Sequence, residues 1–97
     1  MKTTPNLKEI ASILKARFPS RDYHAVLFGS RVRGDDYPGS DWDIGIMGPT
    51  PLRGAVMELI REDFENLRTL HTFDVVDMTT VSDSFRKISL KYKKEIV

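Results

Sequence analysis

Two aspartates separated by one residue, Asp41 and Asp43, stand in a segment that alternates strictly from Asp41 to Met47. Alternation at period two reads as a β-strand, so Asp41, Asp43 and Gly45 share one face while Trp42, Ile44 and Ile46 share the other. The second set is a core face. The first carries two carboxylates about 7 Å apart along the strand, followed by the smallest residue available. Aspartate is depleted in strands, and local rules tend to break where function is built. Taken alone, the pair also fits a charged, solvent-facing sheet surface.

A third acid changes that balance. In Thr72-Phe73-Asp74-Val75-Val76-Asp77-Met78, Asp74 and Val76 share the face opposite Phe73 and Val75. If this strand lies beside the first, Asp74 can project next to Asp41 and Asp43. Two unit charges ~5 Å apart at an effective dielectric of ~20 repel by about 3 kcal/mol, and three acids make three such pairs. The arrangement calls for a cation. Carboxylate oxygens with no His or Cys nearby suit Mg2+ or Mn2+, which keep waters and bind substrate phosphates. Two such ions can clamp an in-line phosphoryl or nucleotidyl displacement. By the same parity Asp77 points to the opposite face, as an edge or capping acid.

Phe28-Gly29-Ser30-Arg31 supplies a complementary half. Glycine where a strand ends lets backbone N–H groups approach a phosphate, and Ser30 can cap the following turn or bond a phosphate oxygen. Arg31 and Arg33 stand near enough to add charge-assisted bonds. Without the acids, Gly-Ser is an ordinary turn. Beside them it reads as a phosphate cradle.

The elements that must hold these residues follow from the apolar spacing. Thr4-Pro5 can open a helix, with Thr4 as N-cap, and Leu7, Ile10, Ala11, Leu14 and Phe18 recur at helical spacing until Pro19. Tyr23 to Phe28 reads as a strand ended by Gly29. Turn formers from Gly34 to Ser40 make a loop, in which Asp35 and Asp36 serve the turn. Thr50-Pro51 predicts a helix of about 18 residues, with Leu52, Val56, Leu59, Ile60, Phe64, Leu67 and Leu70 facing the core. Phe73 to Met78 is a third strand. Thr80-Val81-Ser82-Asp83 has the form of a capping box before a last helix, with Phe85, Ile88 and Tyr92 inward. The expected class is α/β, a small α+β mixed sheet flanked by helices. The short connection from Gly29 to Asp41 makes the first two strands antiparallel.

Composition bounds the rest. The 97 residues carry 40% apolar and 30% charged side chains, no Cys, and a net charge of +1. They fit one globular domain over 1–97, not a disordered chain. No apolar stretch approaches a membrane span, and the start has no secretory h-region. Disulfides, thiolate zinc sites and thiol nucleophiles are excluded together. The expected location is cytoplasmic. The near-neutral charge argues against direct nucleic-acid binding. Residues 84–97, with Arg86, Lys87, Lys91, Lys93 and Lys94 against Glu95, are nonetheless basic. They form either a solvated helix face or a docking surface for an anionic ligand or acidic partner.

Gly29-Ser30, ten intervening residues and Asp41-Trp42-Asp43 together resemble the signature of the DNA polymerase β-like nucleotidyltransferase superfamily, in the spacing of its minimal members. Asp74, in Phe-Asp-Val-Val, matches the third acid of that pattern. The resemblance covers nearly the whole chain and extends to the stand-alone minimal nucleotidyltransferase (MNT) proteins, usually encoded beside a small helical HEPN protein. It implies the nucleotidyltransferase fold, with Asp41, Asp43 and Asp74 as metal ligands for Mg2+ or Mn2+. Asp74 would also be the base for the attacking hydroxyl. Gly29 and Ser30, with Arg31 or Arg33, would hold the nucleoside triphosphate. The implied reaction moves AMP from ATP to an acceptor hydroxyl, in several pairs a tyrosine of a HEPN ribonuclease toxin, so that the MNT protein is an antitoxin. Larger relatives add a helical domain for the acceptor, and this length suggests that a helical partner completes the site. The tail from Arg86 to Lys94 or the Tyr37-Pro38 loop would contact it.

Two rival functions remain. One is a binding module that occludes a helical partner without catalysis, which three crowded acids do not require. The other is a small-molecule nucleotidyltransferase acting on an antibiotic or metabolite. His24 and His71 read as packed or capping residues, Trp42 as core, and Met57 and Met78 as core or surface fillers.

Overall fold

The computed structural model describes residues 6–34, 41–67, 69 and 71–97. The first helix, α1 (Leu7–Arg17), begins at Asn6, whose Oδ1 accepts the Glu9 N–H at 2.8 Å. Thr4 and Pro5, expected to open it, lie outside the described residues. Phe18 leaves the helix in an extended conformation, as the residue before a proline must. Ile10 and Leu14 are fully buried.

Strand β1 (His24–Phe28), the short helix α2 (Ser30–Arg33) and strand β2 (Trp42–Met47) follow. Beyond Gly34, the expected turn residues, including Asp35, Asp36, Tyr37 and Pro38, lie outside the described residues. Helix α3 (Gly54–Glu65), β3 (Phe73–Asp77), α4 (Asp83–Ser89) and β4 (Lys94–Glu95) complete the order. The sheet runs β3-β2-β1-β4. β1 is antiparallel to β2 and β4, while β2 and β3 are parallel, so the sheet is mixed as the sequence predicts. Strand β4, which the sequence did not announce, covers the outer edge of β1.

One face carries the main core. Ala25, Leu27, Trp42, Ile44, Ile46 and Val75 pack against Ile10 and Leu14 of α1 and Met57, Ile60 and Phe64 of α3. Arg17 joins the two helices through a two-pronged contact with Asp63, Nε to Oδ2 at 2.8 Å and Nη2 to Oδ1 at 3.1 Å. The other face holds a smaller apolar layer, with Val26, Phe28 and Met78 buried. Gly45 belongs to that layer, because a β-carbon there would stand 2.8 Å from the Met78 Cε.

Two helices depart from expectation. Helix α3 has 12 residues rather than about 18, and Thr50-Pro51 does not open it. The Tyr23 hydroxyl meets the Thr50 carbonyl at 3.0 Å and its hydroxyl at 2.9 Å, while the Leu52 N–H donates to Asp77 Oδ2 at 2.8 Å. These contacts hold the segment against the sheet, and the helix starts after it. Leu59 is 40% exposed rather than inward, and Leu70 lies outside the described residues. For α4 the cap is Ser82, whose Oγ accepts the Phe85 N–H, not Thr80, whose hydroxyl donates to the Asp77 carbonyl. Phe85, Ile88 and Tyr92, expected inward, are exposed. Phe85 is placed against the sheet, edge-on to Phe28 at 6.5 Å between centroids, and Tyr92 falls beyond the end of α4 at Ser89. Among the described residues no helix is long and apolar enough to cross a membrane.

Candidate active site

Strand register assembles the acids. β1 and β2 pair Phe28 with Asp43, and β2 and β3 pair Asp43 with Asp74. Asp43 thus sits between the end of β1 and the acid of the neighbouring strand. Gly29 leaves β1 with φ 83°, a backbone conformation L side chains avoid, and turns the chain into α2. Its carbonyl accepts from the N–H groups of Val32 and Arg33, both at 3.1 Å. A helix start exposes N–H groups whose acceptors come from outside the helix, and such a start suits phosphate oxygens. Glycine is also needed for space, since its α-carbon abuts the Asp43 carboxylate.

Asp43 is half-buried, and its carboxyl is pushed above the usual range. Burial is the largest cause, followed by the charges of Asp74 and Asp41, with Arg33 opposing. That order tells which groups the site brings into electrostatic range: three acids and one arginine. Asp74 is exposed on β3. Beside it the surface falls into a recess of about 380 Å³ lined by Arg61, Phe64, His71, Thr72 and Phe73 among others.

Asp41 lies just before β2, exposed, and its Oδ1 accepts a hydrogen bond from the Thr72 hydroxyl. The Trp42 N–H to Thr72 carbonyl bond, at 2.9 Å, keeps these segments in line. Thr72 was not singled out from the sequence. Extending the parallel register by one residue from Trp42 and Phe73 is the signal that finds it.

The two arginines part company. Arg31 lies over the Trp42 ring, 4.8 Å from its centroid, and its Nη2 is 3.2 Å from His71 Nδ1. Trp42 faces the main core, so Arg31 is drawn to the side of β2 away from Asp43. Arg33 is the arginine whose charge Asp43 feels. His71 is packed edge-on against Trp42 at 5.9 Å. His24, expected to be packed or capping, is instead exposed at the start of β1. Asp77 is buried at 8% exposure and accepts from the N–H groups of Leu52 and Thr79 and from the Thr79 hydroxyl. It is the capping acid that strand parity predicts.

Among the described residues, no three His, Cys, Asp or Glu side chains close into a metal cage. The donor set suits a different kind of site. Mg2+ is usually held by one or two carboxylates together with substrate phosphates and waters. Asp43 and Asp74, adjacent in register and mutually repelling, fit that role.

Known proteins are similar to this chain in sequence and in fold. Residues 8–97 match the family described as "Polymerase beta, Nucleotidyltransferase". Over 82 residues the chain is 33% identical to the probable protein adenylyltransferase MntA of Haemophilus influenzae, covering 84% of this chain and 70% of that protein. A toxin–antitoxin crystal structure with AMP-PNP contains a similar chain, with TM-score 0.77, 23% identity, and coverage of 96% of this chain and 73% of that one. Another similar chain occurs in the tri-AMPylated Shewanella oneidensis HEPN toxin in complex with MNT antitoxin. It has TM-score 0.65 and 19% identity, and the match covers 94% and 68% of the two chains. At these identities the structural likeness speaks for the fold.

Proposed function

The chain belongs to the polymerase β nucleotidyltransferase family and is a nucleotidyltransferase, and we propose that it transfers AMP from ATP to a hydroxyl of a partner protein. The partner we infer is a helical HEPN-type toxin, with this chain as its antitoxin. The observation that carries the reading is the pairing of Asp43 with Asp74 directly beside the Gly29 turn. Two carboxylates and the backbone turn at Gly29 lie within one small region, which supports cation and phosphate binding there. The similar MntA, called a probable protein adenylyltransferase, and the toxin–antitoxin complexes support this choice of donor and acceptor.

In the proposed reaction the acceptor oxygen attacks the α-phosphorus of ATP. A bond forms between them, the bond from the α-phosphorus to the bridging oxygen breaks, and pyrophosphate leaves. Gly29 and Ser30 hold the phosphates through the backbone at the start of α2. Arg33 adds positive charge on the side of Asp43, while Arg31 steadies the turn from the Trp42 side. Asp74, exposed on β3, accepts the proton of the attacking hydroxyl. Asp43, with Asp41 and Asp74, would hold Mg2+ or Mn2+. A divalent cation held there would offset the carboxylate charges and supply Lewis-acid polarisation of a phosphate oxygen.

Intact-mass spectrometry of the neighbouring gene's product, after incubation with this chain, Mg2+ and ATP, tests the reading. Mass increments matching AMP, absent with Asp41→Ala/Asp43→Ala, are expected. A stable complex without any increment would replace transfer by occlusion.

A further inference from the structure

The face of the sheet that carries the acids is also the face on which α4 lies. Phe28 pairs with Asp43 across β1 and β2, and Phe85 of α4 stands edge-on to Phe28. An acceptor hydroxyl approaching Asp43 and Asp74 therefore arrives over the same face as α4. Arg86 fixes that helix to the end of β3, its Nε donating to the Met78 carbonyl at 3.0 Å and its Nη1 to Asp83 at 2.8 Å.

What α4 and the turn after it expose includes three large apolar side chains. Phe85 is 42% and Ile88 77% exposed on α4, and Tyr92, three residues past the end of the helix at Ser89, is 54% exposed. A single exposed apolar side chain needs no explanation, but a contiguous group rimmed by charge marks an interaction surface. The rim is basic. Lys87, Lys91, Lys93 and Lys94, all exposed, flank these residues along the chain, and the Lys91 Nζ lies 5.7 Å from the Tyr92 ring centroid. The acidic side chains of this segment are engaged locally, Asp83 with Arg86 and Glu95 with Lys93.

We propose that exposed Phe85, Ile88 and Tyr92, on α4 and the turn that follows it, form with their flanking lysines the docking surface for the acceptor protein, whose matching patch is apolar and bordered by carboxylates. The inference rests on the protein-acceptor reading above. Charge complementarity selects the partner, and the shared sheet face directs its hydroxyl to the acids. Apolar contact at Ile88 and Tyr92 supplies affinity, while the lysines govern association rate and salt dependence.

The test measures binding of the neighbouring gene's product by calorimetry and AMP incorporation by intact mass, for the wild type, Ile88→Glu and Lys91→Glu. Ile88→Glu is expected to weaken the complex at least about tenfold, with incorporation falling in parallel. Lys91→Glu is expected to weaken it less and to flatten its dependence on salt. ATP binding by each variant alone should match the wild type, which certifies fold and site. Wild-type affinity and incorporation in both variants would overturn the docking surface and leave the transferase reading intact. A wild-type complex lost in Ile88→Glu, with no incorporation in either, would overturn transfer and uphold the surface. Absence of both complex and incorporation in the wild type would end both.

Discussion

Between Gly29 and Asp43 there is no room for a methyl group: a β-carbon on the glycine would stand 2.1 Å from the aspartate Oδ2. Gly34, at the other end of α2, has a similar φ of 87°, but no described residue comes within 4 Å of where its β-carbon would stand. The two positions separate conformational cost from crowding. Gly34→Ala should cost about 1–2 kcal/mol, the usual cost of a left-handed L residue. Gly29→Ala should cost more and also displace the Asp43 carboxylate. Thermal melts should rank them in that order, and only Gly29→Ala should abolish ATP binding.

Asp43 is held at a cost to stability. Its carboxyl is raised first by burial and then by Asp74 and Asp41, so the folded state keeps the proton to higher pH than the unfolded chain. Stability therefore falls as pH rises from the ordinary carboxylate range, about 3.9, through the raised folded value. Asp43→Asn removes that loss. In chelator at neutral pH the variant should melt a few degrees above the wild type while losing transferase activity. A lower melting temperature would contradict the charge-crowding account.

Asp74 and Asp77 sit on one strand and have opposite duties. Asp77→Ala removes three hydrogen bonds at the junction of β3 and the segment before α3. Buried donors left unpaired cost about 1–3 kcal/mol each, so its melting temperature should drop sharply. The folded fraction should still transfer AMP. Asp74→Asn should show the reverse, with near wild-type melting and no transfer.

The link between α1 and α3 titrates in acid. Hydrogen bonding from Arg17 holds the Asp63 carboxyl below its usual range. Its contribution is therefore present above the unfolded value, about 3.9, and is lost as pH falls through the lower folded one. Asp63→Asn should melt below the wild type at neutral pH, and the two should converge at the acidic end of a pH series.

The strand carrying Asp43 was legible because its alternation is strict and its polar face is unusual. Asp74 was legible by parity, and the parallel register then set it opposite Asp43. Asp77 followed from the same parity. Helix starts were less legible, because serine and threonine cap equally well. Thr50 is claimed by Tyr23 and Thr80 by the Asp77 carbonyl, so neither serves as a cap. Periodicity put Phe85, Ile88 and Tyr92 on one helix, but the helix stops at Ser89, short of Tyr92, and periodicity does not say whether anything covers them. The acid face has its own small apolar layer, in which Met78 fills the space left by Gly45, and the outer side of α4 is not needed to bury it. The roles of Arg31 and Arg33 were not separable from sequence, since the distinction comes from the Trp42 ring.

The order of the strands has a kinetic corollary. Asp43 meets Gly29 only when β1 and β2 have paired, and meets Asp74 only when β3 has been laid alongside by way of α3. Antiparallel β1 and β2 can close early, whereas the parallel pairing waits on a longer chain excursion. A partly folded chain would then own a phosphate cradle without its full set of acids. Competence for chemistry should emerge late in refolding, after nucleotide affinity has begun to recover.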